Sequence, residues 1–202
     1  MSSSRRIVLA SHNAGKLQEL QTLLAPLALE LLLLPDSTAV APQETCSTFI
    51  ENALIKARAA TQLTGMPAIA DDSGLCVDAL AGAPGVHSAR FAGGHATDAD
   101  NNQLLLERMR GIAPAQRRAA FFCVLVYLRG VADPAPLIAS GTWHGVVLEA
   151  AHGDGGFGYD PLFFVAEAGA TAAQLPPAKK NAMSHRGRAA AALSALLAVE
   201  YG

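Results

Sequence analysis

The sequence predicts an α/β fold, a mixed twisted sheet with flanking helices, and three stretches carry that reading. Residues 7–10 are a short apolar run followed by a loop and then by leucines at helical spacing. Residues 67–74, Pro-Ala-Ile-Ala-Asp-Asp-Ser-Gly, begin as a buried strand and break into two carboxylates. Residues 119–128 are apolar at both alternating sets of positions, as in a strand covered on both faces.

Composition bounds the remaining choices. A chain of 202 residues with 51% hydrophobic and 16% charged residues buries a core, as one domain or two small lobes, and is not disordered. A net charge of -2 and a pI near 6.3 argue against a general nucleic-acid or membrane surface. Cys46, Cys76 and Cys123 form no Cys-x-x-Cys pair, which suits a reducing cytosol, and the histidines show no zinc-ligand spacing. The apolar run after Arg6 is too short for a signal peptide, and residues 27–34 fall far short of the ~20 residues of a membrane helix. The expectation is a soluble, cytoplasmic protein.

The first strand leads into Ser11-His12-Asn13-Ala14-Gly15-Lys16, and Leu17, Leu20, Leu23 and Leu24 then mark a helix. Strand, Gly-Lys loop and helix is a geometry that presents N–H groups and a positive dipole to phosphate. It is not a P-loop: Ala10 stands at the first glycine and Leu17 at the Mg²⁺-holding Ser/Thr. A solvated loop with a surface lysine is the other reading of these residues. A second strand is expected over 27–34, closed by Pro35.

Thr48-x-x-Glu51 is a capping box opening a helix with Phe49, Ala53, Ala57 and Ala60 as its apolar stripe, so Glu51 is structural. Asn52 and Lys56 share one helix face and are placed to reach a phosphate together. Glu44 is either a metal carboxylate or solvated. Gly65 ends the helix and Pro67 leads into the aspartate strand.

That strand is expected to stop at Asp71 and turn through Ser73 and Gly74, with another short strand over 75–80. Side chains alternate along a strand, so Asp71 and Asp72 face opposite ways and only one enters a given crevice. A carboxylate there binds Mg²⁺ or takes a proton from water; an Asp-Ser-Gly turn closing a hairpin is the competing reading. Residues 82–85 form a turn, and Arg90 after it either binds an anion or pairs with a carboxylate. A helix over 98–109 is capped near Thr97, and the strand over 119–128 has an antiparallel neighbour over 137–148.

Residues 153–158 match Gly-x-Gly-x-x-Gly, but Pro161 and the β-branched and aromatic run after it exclude the helix a dinucleotide fingerprint needs. The stretch reads instead as a glycine loop presenting Phe157, Tyr159 and Asp160. An aromatic beside a carboxylate builds a nucleobase pocket, although both rings also suit a core. Lys179, Lys180, His185, Arg186 and Arg188 form a basic loop before a closing helix in which Ala189, Leu193, Leu196 and Leu197 pack inward. Bases there oppose the helix dipole, which points to an anionic or carbonyl-bearing ligand; a solvated basic loop is the alternative.

Taken together, these clusters describe a nucleoside triphosphate site without a P-loop. The sequence at this point resembles the noncanonical purine NTP pyrophosphatases, the inosine/xanthosine triphosphate pyrophosphatase family, over residues 7–197. Ser11-x-Asn13-x-x-Lys16 is similar to its opening phosphate loop, and Phe49-x-Glu51-Asn52-Ala53-x-x-Lys56 to its second-helix signature. Residues 70–75 resemble its acidic motif, 82–90 the segment after it, Phe157-Gly158-Tyr159-Asp160-Pro161 its base loop, and Ser184-His185-Arg186 with Lys180 its base-reading motif. His12 replaces a common glycine and Ser11 a frequent threonine.

The resemblance implies a two-lobed mixed α/β sheet around a central nucleotide cleft, usually a homodimer. It implies Mg²⁺-dependent hydrolysis of ITP, dITP or XTP to monophosphate and pyrophosphate, with Asp72 as general base and metal ligand and Glu44 as the second metal carboxylate. Residues 11–16, Asn52, Lys56 and Ser73 would bind the nucleotide, with Asn13, Lys16 and Lys56 on its polyphosphate. Phe157 would stack on the purine, with Gly158, Tyr159, Asp160, Lys180, His185 and Arg186 around it. Whether Ser88 and Arg90 touch substrate stays open. The rivals are a pyrophosphatase for modified pyrimidines and a sensor that holds the nucleotide uncleaved.

Overall fold

The strands buried on both faces lie inside the sheet rather than at its edges. In a computed structural model, which describes residues 5–35 and 45–201, seven strands form one mixed sheet in the order β2-β1-β3-β4-β5-β6-β7. β1 (Arg5–Leu9) pairs in parallel with β2 (Leu29–Leu33), Ile7 opposite Leu31, and with β3 (Ala68–Val77), Leu9 opposite Ile69. β4 (Arg118–Leu128) lies between β3 and β5 (Leu137–Val147). The Val147 N–H at the end of β5 donates to the Arg117 carbonyl at the start of β4, the antiparallel arrangement expected. Two short strands, β6 (Phe163–Val165) and β7 (Ala170–Thr171), complete the sheet in antiparallel fashion.

The chain divides into two compact units, one of residues 1–72, 123–141 and 186–202, the other of residues 73–122 and 142–185. β3, β4 and β5 each contribute residues to both.

In the first unit, α1 (Ala14–Leu23) and α5 (His185–Tyr201) cover one sheet face and α2 (Phe49–Thr64) the other. The strands obey period two strictly. Ile7, Leu9, Ile69, Cys123, Leu125 and Tyr127 join the cluster with Leu20, Leu193 and Leu197, whereas Ala70, Val124, Val126 and Leu128 join Ala53 and Ala57 on the α2 side. Ala53, Ala57 and Ala60 are the buried stripe that the spacing predicts, and Gly65 ends α2 in the left-handed region at φ 66°. In α5 the inward positions are Ala189, Ala190, Leu193 and Leu197; Leu196, expected inside, is 39% exposed because its position rotates off that stripe.

The second unit packs α3 (Asp98–Arg108) and the turns around residues 159–175 on a cluster that includes Leu75, Leu105, Met109, Phe121, Trp143 and Phe163. Arg117 is buried there, its guanidinium donating to the carbonyls of Met109, Val147 and Leu148, so its charge is spread over backbone dipoles. No helix among the described residues is long and apolar enough to cross a membrane.

Two expectations give way. β3 does not turn at Asp71-Asp72-Ser73-Gly74 but runs unbroken to Val77, because its ladder partners outweigh the local turn preference of Asp, Ser and Gly. The basic segment near the end is not a loop: Lys179 and Lys180 lie in α4 (Pro177–Met183), opened by proline at its first position, and α5 already begins at His185.

Candidate active site

The acidic pair gains its setting from unequal strand lengths. β1 stops at Leu9, opposite Ile69, while β3 continues through Asp71 and Asp72 past the carboxyl end of its parallel neighbour. That is where α/β sheets place ligands. Strand alternation then sends Asp71 to the face of Ile69 and Asp72 to the face of Ala70. The expectation of opposed aspartates is met.

Asp72 meets α2. Its Oδ1 accepts from Lys56 Nζ at 2.6 Å, and both side chains are largely buried. Asp71 meets α1 and α5. Its Oδ1 accepts from Lys16 Nζ at 2.9 Å and its Oδ2 from Arg186 Nε at 2.6 Å, while Arg186 Nη1 also donates to Glu19 at 2.8 Å. Burial by itself would raise the Asp71 carboxyl; the Arg186 and Lys16 charges and hydrogen bonds overcome it and hold the group well below the usual carboxylate range. Burial likewise pushes the Cys123 thiol up, and the nearby Asp71 charge adds to it, which disfavours its thiolate.

The opening loop is built around its helix start. The Ser11 hydroxyl accepts from the Asn13 N–H, and Asn13 is the N-cap of α1, its Oδ1 accepting from the Lys16 N–H at 3.0 Å. Residues 12–15 are exposed, and Lys16, placed in the loop by sequence, stands in the first turn of α1. Thr48 caps α2, accepting from the Glu51 N–H, and its hydroxyl donates to Glu51 Oε2. Asn52 does not line up with Lys56 as an open donor. It is fully buried, accepting from the Cys46 N–H and donating to the Cys46 carbonyl, and so pins the chain ahead of α2. Glu44 lies outside the described residues.

The aromatic and basic residues of the second unit form another cluster. Phe157 is 51% exposed, and Lys180 Nζ lies 4.6 Å from its ring centroid. Asp160, buried, accepts from the Lys180 ammonium and, at 2.8 Å, from the Phe157 N–H. Gly156 sits at φ 77°, and a Cβ there would fall 2.1 Å from Asp160 Oδ2, so only glycine admits the carboxylate. Tyr159 is core: it is 3% exposed and its hydroxyl donates to the Ser88 carbonyl. Ser88 also accepts from the Leu75 N–H and donates to the Gly85 carbonyl, a bridging role within the fold. His185 is buried and stacked on Phe121, with centroids 4.8 Å apart and planes 11° apart, and on Trp143 beyond. Ser73 is half-buried, next to Asp72 on β3.

Asp71, Arg186 and Cys123, all buried, thus form one group with the partly buried Lys16 and Glu19; Asp72 and Lys56 form a second, and Phe157, Asp160 and Lys180 a third. Sequence reasoning grouped Arg186 with Lys180 and His185; the structure gives its guanidinium to Asp71 and Glu19. Glu19, Asp98 and Asn102 were not singled out, since polar positions on an exposed helix face carry no local signal of their partners.

The pattern of the Ham1 family matches residues 7–196. A dITP/XTP pyrophosphatase of Pectobacterium atrosepticum is 53% identical over 185 residues, 92% of this chain and 94% of that protein. Another, of Aromatoleum aromaticum, is 58% identical over 186 residues, 91% of this chain and 92% of its own. Among solved structures, a HAM1 protein from Coxiella burnetii superposes with a TM-score of 0.88 at 48% identity, covering 96% of this chain and 99% of its own. A nucleoside-triphosphatase / dITP/XTP pyrophosphatase from Mycobacterium abscessus superposes at 0.76 and 41% identity, covering 95% and 99%. Identity at this level over nearly the whole chain leaves one assignment: the protein belongs to the Ham1 family.

Proposed function

We propose that this chain is a nucleoside triphosphate pyrophosphatase that hydrolyses ITP, dITP and XTP between the α and β phosphates, releasing the monophosphate and pyrophosphate. The observation that carries the reading is the buried Lys56–Asp72 pair past the carboxyl end of β1, in a chain more than half identical to dITP/XTP pyrophosphatases. In the proposed step Asp72 takes a proton from water, the water oxygen bonds to the α phosphorus, and the bond to the bridging oxygen breaks as pyrophosphate leaves. Lys56 holds the Asp72 carboxylate in a fixed orientation, and Lys56 and Lys16 are the cations we assign to the phosphates. We assign the polyphosphate to these residues and to the loop of residues 11–16, and the purine to Phe157, Lys180 and His185.

We read the metal as magnesium, with Asp72 as its donor among the described residues. Among the described residues no three His, Cys, Asp or Glu side chains gather into a metal cage. Mg²⁺ commonly needs only one or two carboxylates, with substrate phosphates and water completing its shell. Asp72, with Glu44 as a second ligand, would supply that minimum. When bound, the ion supplies positive charge against the departing pyrophosphate. The same reading makes the protein a cytoplasmic homodimer that acts on free nucleotides.

Selectivity follows from donor and acceptor matching. A 6-keto purine offers an oxygen to the Lys180 ammonium, whereas adenine presents an amino group there and leaves buried donors without acceptors. Discrimination against guanine must arise at the 2-position. A pyrophosphate-release screen across ITP, dITP, XTP, GTP and ATP, with and without Mg²⁺, tests the proposal. It predicts metal-dependent turnover of the first three; ATP cleaved as fast as ITP would refute it, and binding without cleavage would favour a sensor.

A further inference from the structure

Phe157 joins two properties that are seldom found together, an exposed ring and an immobilised backbone. The peptide before it is held by its N–H donating to Asp160 Oδ2 at 2.8 Å. The peptide after it is held by the Gly158 N–H donating to Asp98 Oδ2 at 2.7 Å. The next carbonyl, that of Gly158, accepts from Asn102 Nδ2 at 2.8 Å. Gly158 itself is at φ 60°, so the two peptides flanking it turn through a left-handed residue and both are fixed from α3.

Asp98 and Asn102 are four residues apart and therefore share one face of α3. The helix that carries them is firmly set. Thr97 and Asp100 form a full capping box, Asn101 binds the backbone at Ala89 and Ala92, and Leu105 and Met109 are wholly buried. A loop rich in glycine would otherwise sample many conformations, and each costs affinity when a ligand selects one.

We infer that Asp98 and Asn102 are positioning residues for nucleotide recognition: they clamp Gly158 from α3 so that the Phe157 ring stands ready as a stacking platform for a purine. Neither residue touches the base; both act through the Phe157–Gly158 backbone. The inference rests on the proposed role of Phe157 in base binding.

The test compares Asp98→Ala, Asn102→Ala, Asp98→Asn and Phe157→Ala with the unmutated chain, using dITP. Loss of either clamp bond raises KM about three- to tenfold, the worth of one hydrogen bond, while kcat stays within about twofold. Asp98→Asn keeps an acceptor oxygen and recovers most of the loss. Hydrogen exchange at the Gly158 amide accelerates in Asp98→Ala and not in Asp98→Asn, a readout independent of turnover. A KM that rises in Phe157→Ala but not in either clamp variant overturns the clamp alone. A KM unchanged in Phe157→Ala overturns the base-loop reading and the clamp with it.

Discussion

Lys56 and Asp72 form a largely buried ion pair, 2.6 Å between Nζ and Oδ1, that ties α2 to β3. Replacing Lys56 with Met strands the Asp72 carboxylate in a largely buried setting, which costs about 3–5 kcal/mol of stability. Lys56→Arg keeps the charge but moves it. Denaturant titration orders stability as wild type, then Arg, then Met, and pyrophosphate release from dITP falls in the same order.

Asp71 does a different task on the opposite face. Its carboxyl is held well below the unfolded value of about 4 by Arg186 and Lys16, so its contribution to stability is present above about pH 4 and is lost as pH falls through the lower folded value. Asp71→Asn is therefore destabilised by about 3–5 kcal/mol at neutral pH. The gap to wild type narrows under acid conditions. Chemical denaturation at neutral pH and at successively lower pH below about 4 follows that dependence; a gap that widens in acid would contradict the assignment.

Asn52 anchors the Cys46 backbone through both its amide oxygen and its amide nitrogen. Asn52→Ala removes both bonds and leaves the half-buried Cys46 backbone without that partner, at a cost of about 1–2 kcal/mol. If Glu44, two residues ahead of the anchor in sequence, holds Mg²⁺ as proposed, the variant also needs more Mg²⁺ for half-maximal rate. Thermal melting and a Mg²⁺ titration at fixed dITP check the two effects separately.

The Lys180 ammonium lies over the Phe157 ring and against Asp160, where a keto oxygen would find a donor. Lys180→Met removes that donor and keeps the Phe157 ring. The ratio of kcat/KM for ITP over ATP falls by about ten- to a hundredfold, the scale of a charged hydrogen bond. Steady-state rates with both nucleotides read it directly.

The sequence disclosed what local chemistry controls. The apolar runs of β1 and β4, the Thr48 and Thr97 caps and the Gly65 stop are all set by neighbours within a few residues. Asp71-Asp72-Ser73-Gly74 misled because its turn preference is local, whereas the ladder that keeps it extended comes from strands distant in sequence. Arg186 was visible as a base near the end of the chain, yet its partner Asp71 lies 115 residues away and nothing local encodes that pairing. Asn52 shared a helix face with Lys56 by spacing, but spacing does not say how deeply a face is buried. Asp98 and Asn102 were hidden for the same reason: their partner is a backbone 56 to 60 residues downstream.

The most direct test of the account is pyrophosphate release from dITP by Asp72→Asn, with nucleotide binding measured in parallel. Removing the proton acceptor while keeping the side chain's shape predicts binding close to wild type and release reduced by at least about a hundredfold. A variant that binds dITP and releases pyrophosphate at the wild-type rate would contradict the role given to Asp72.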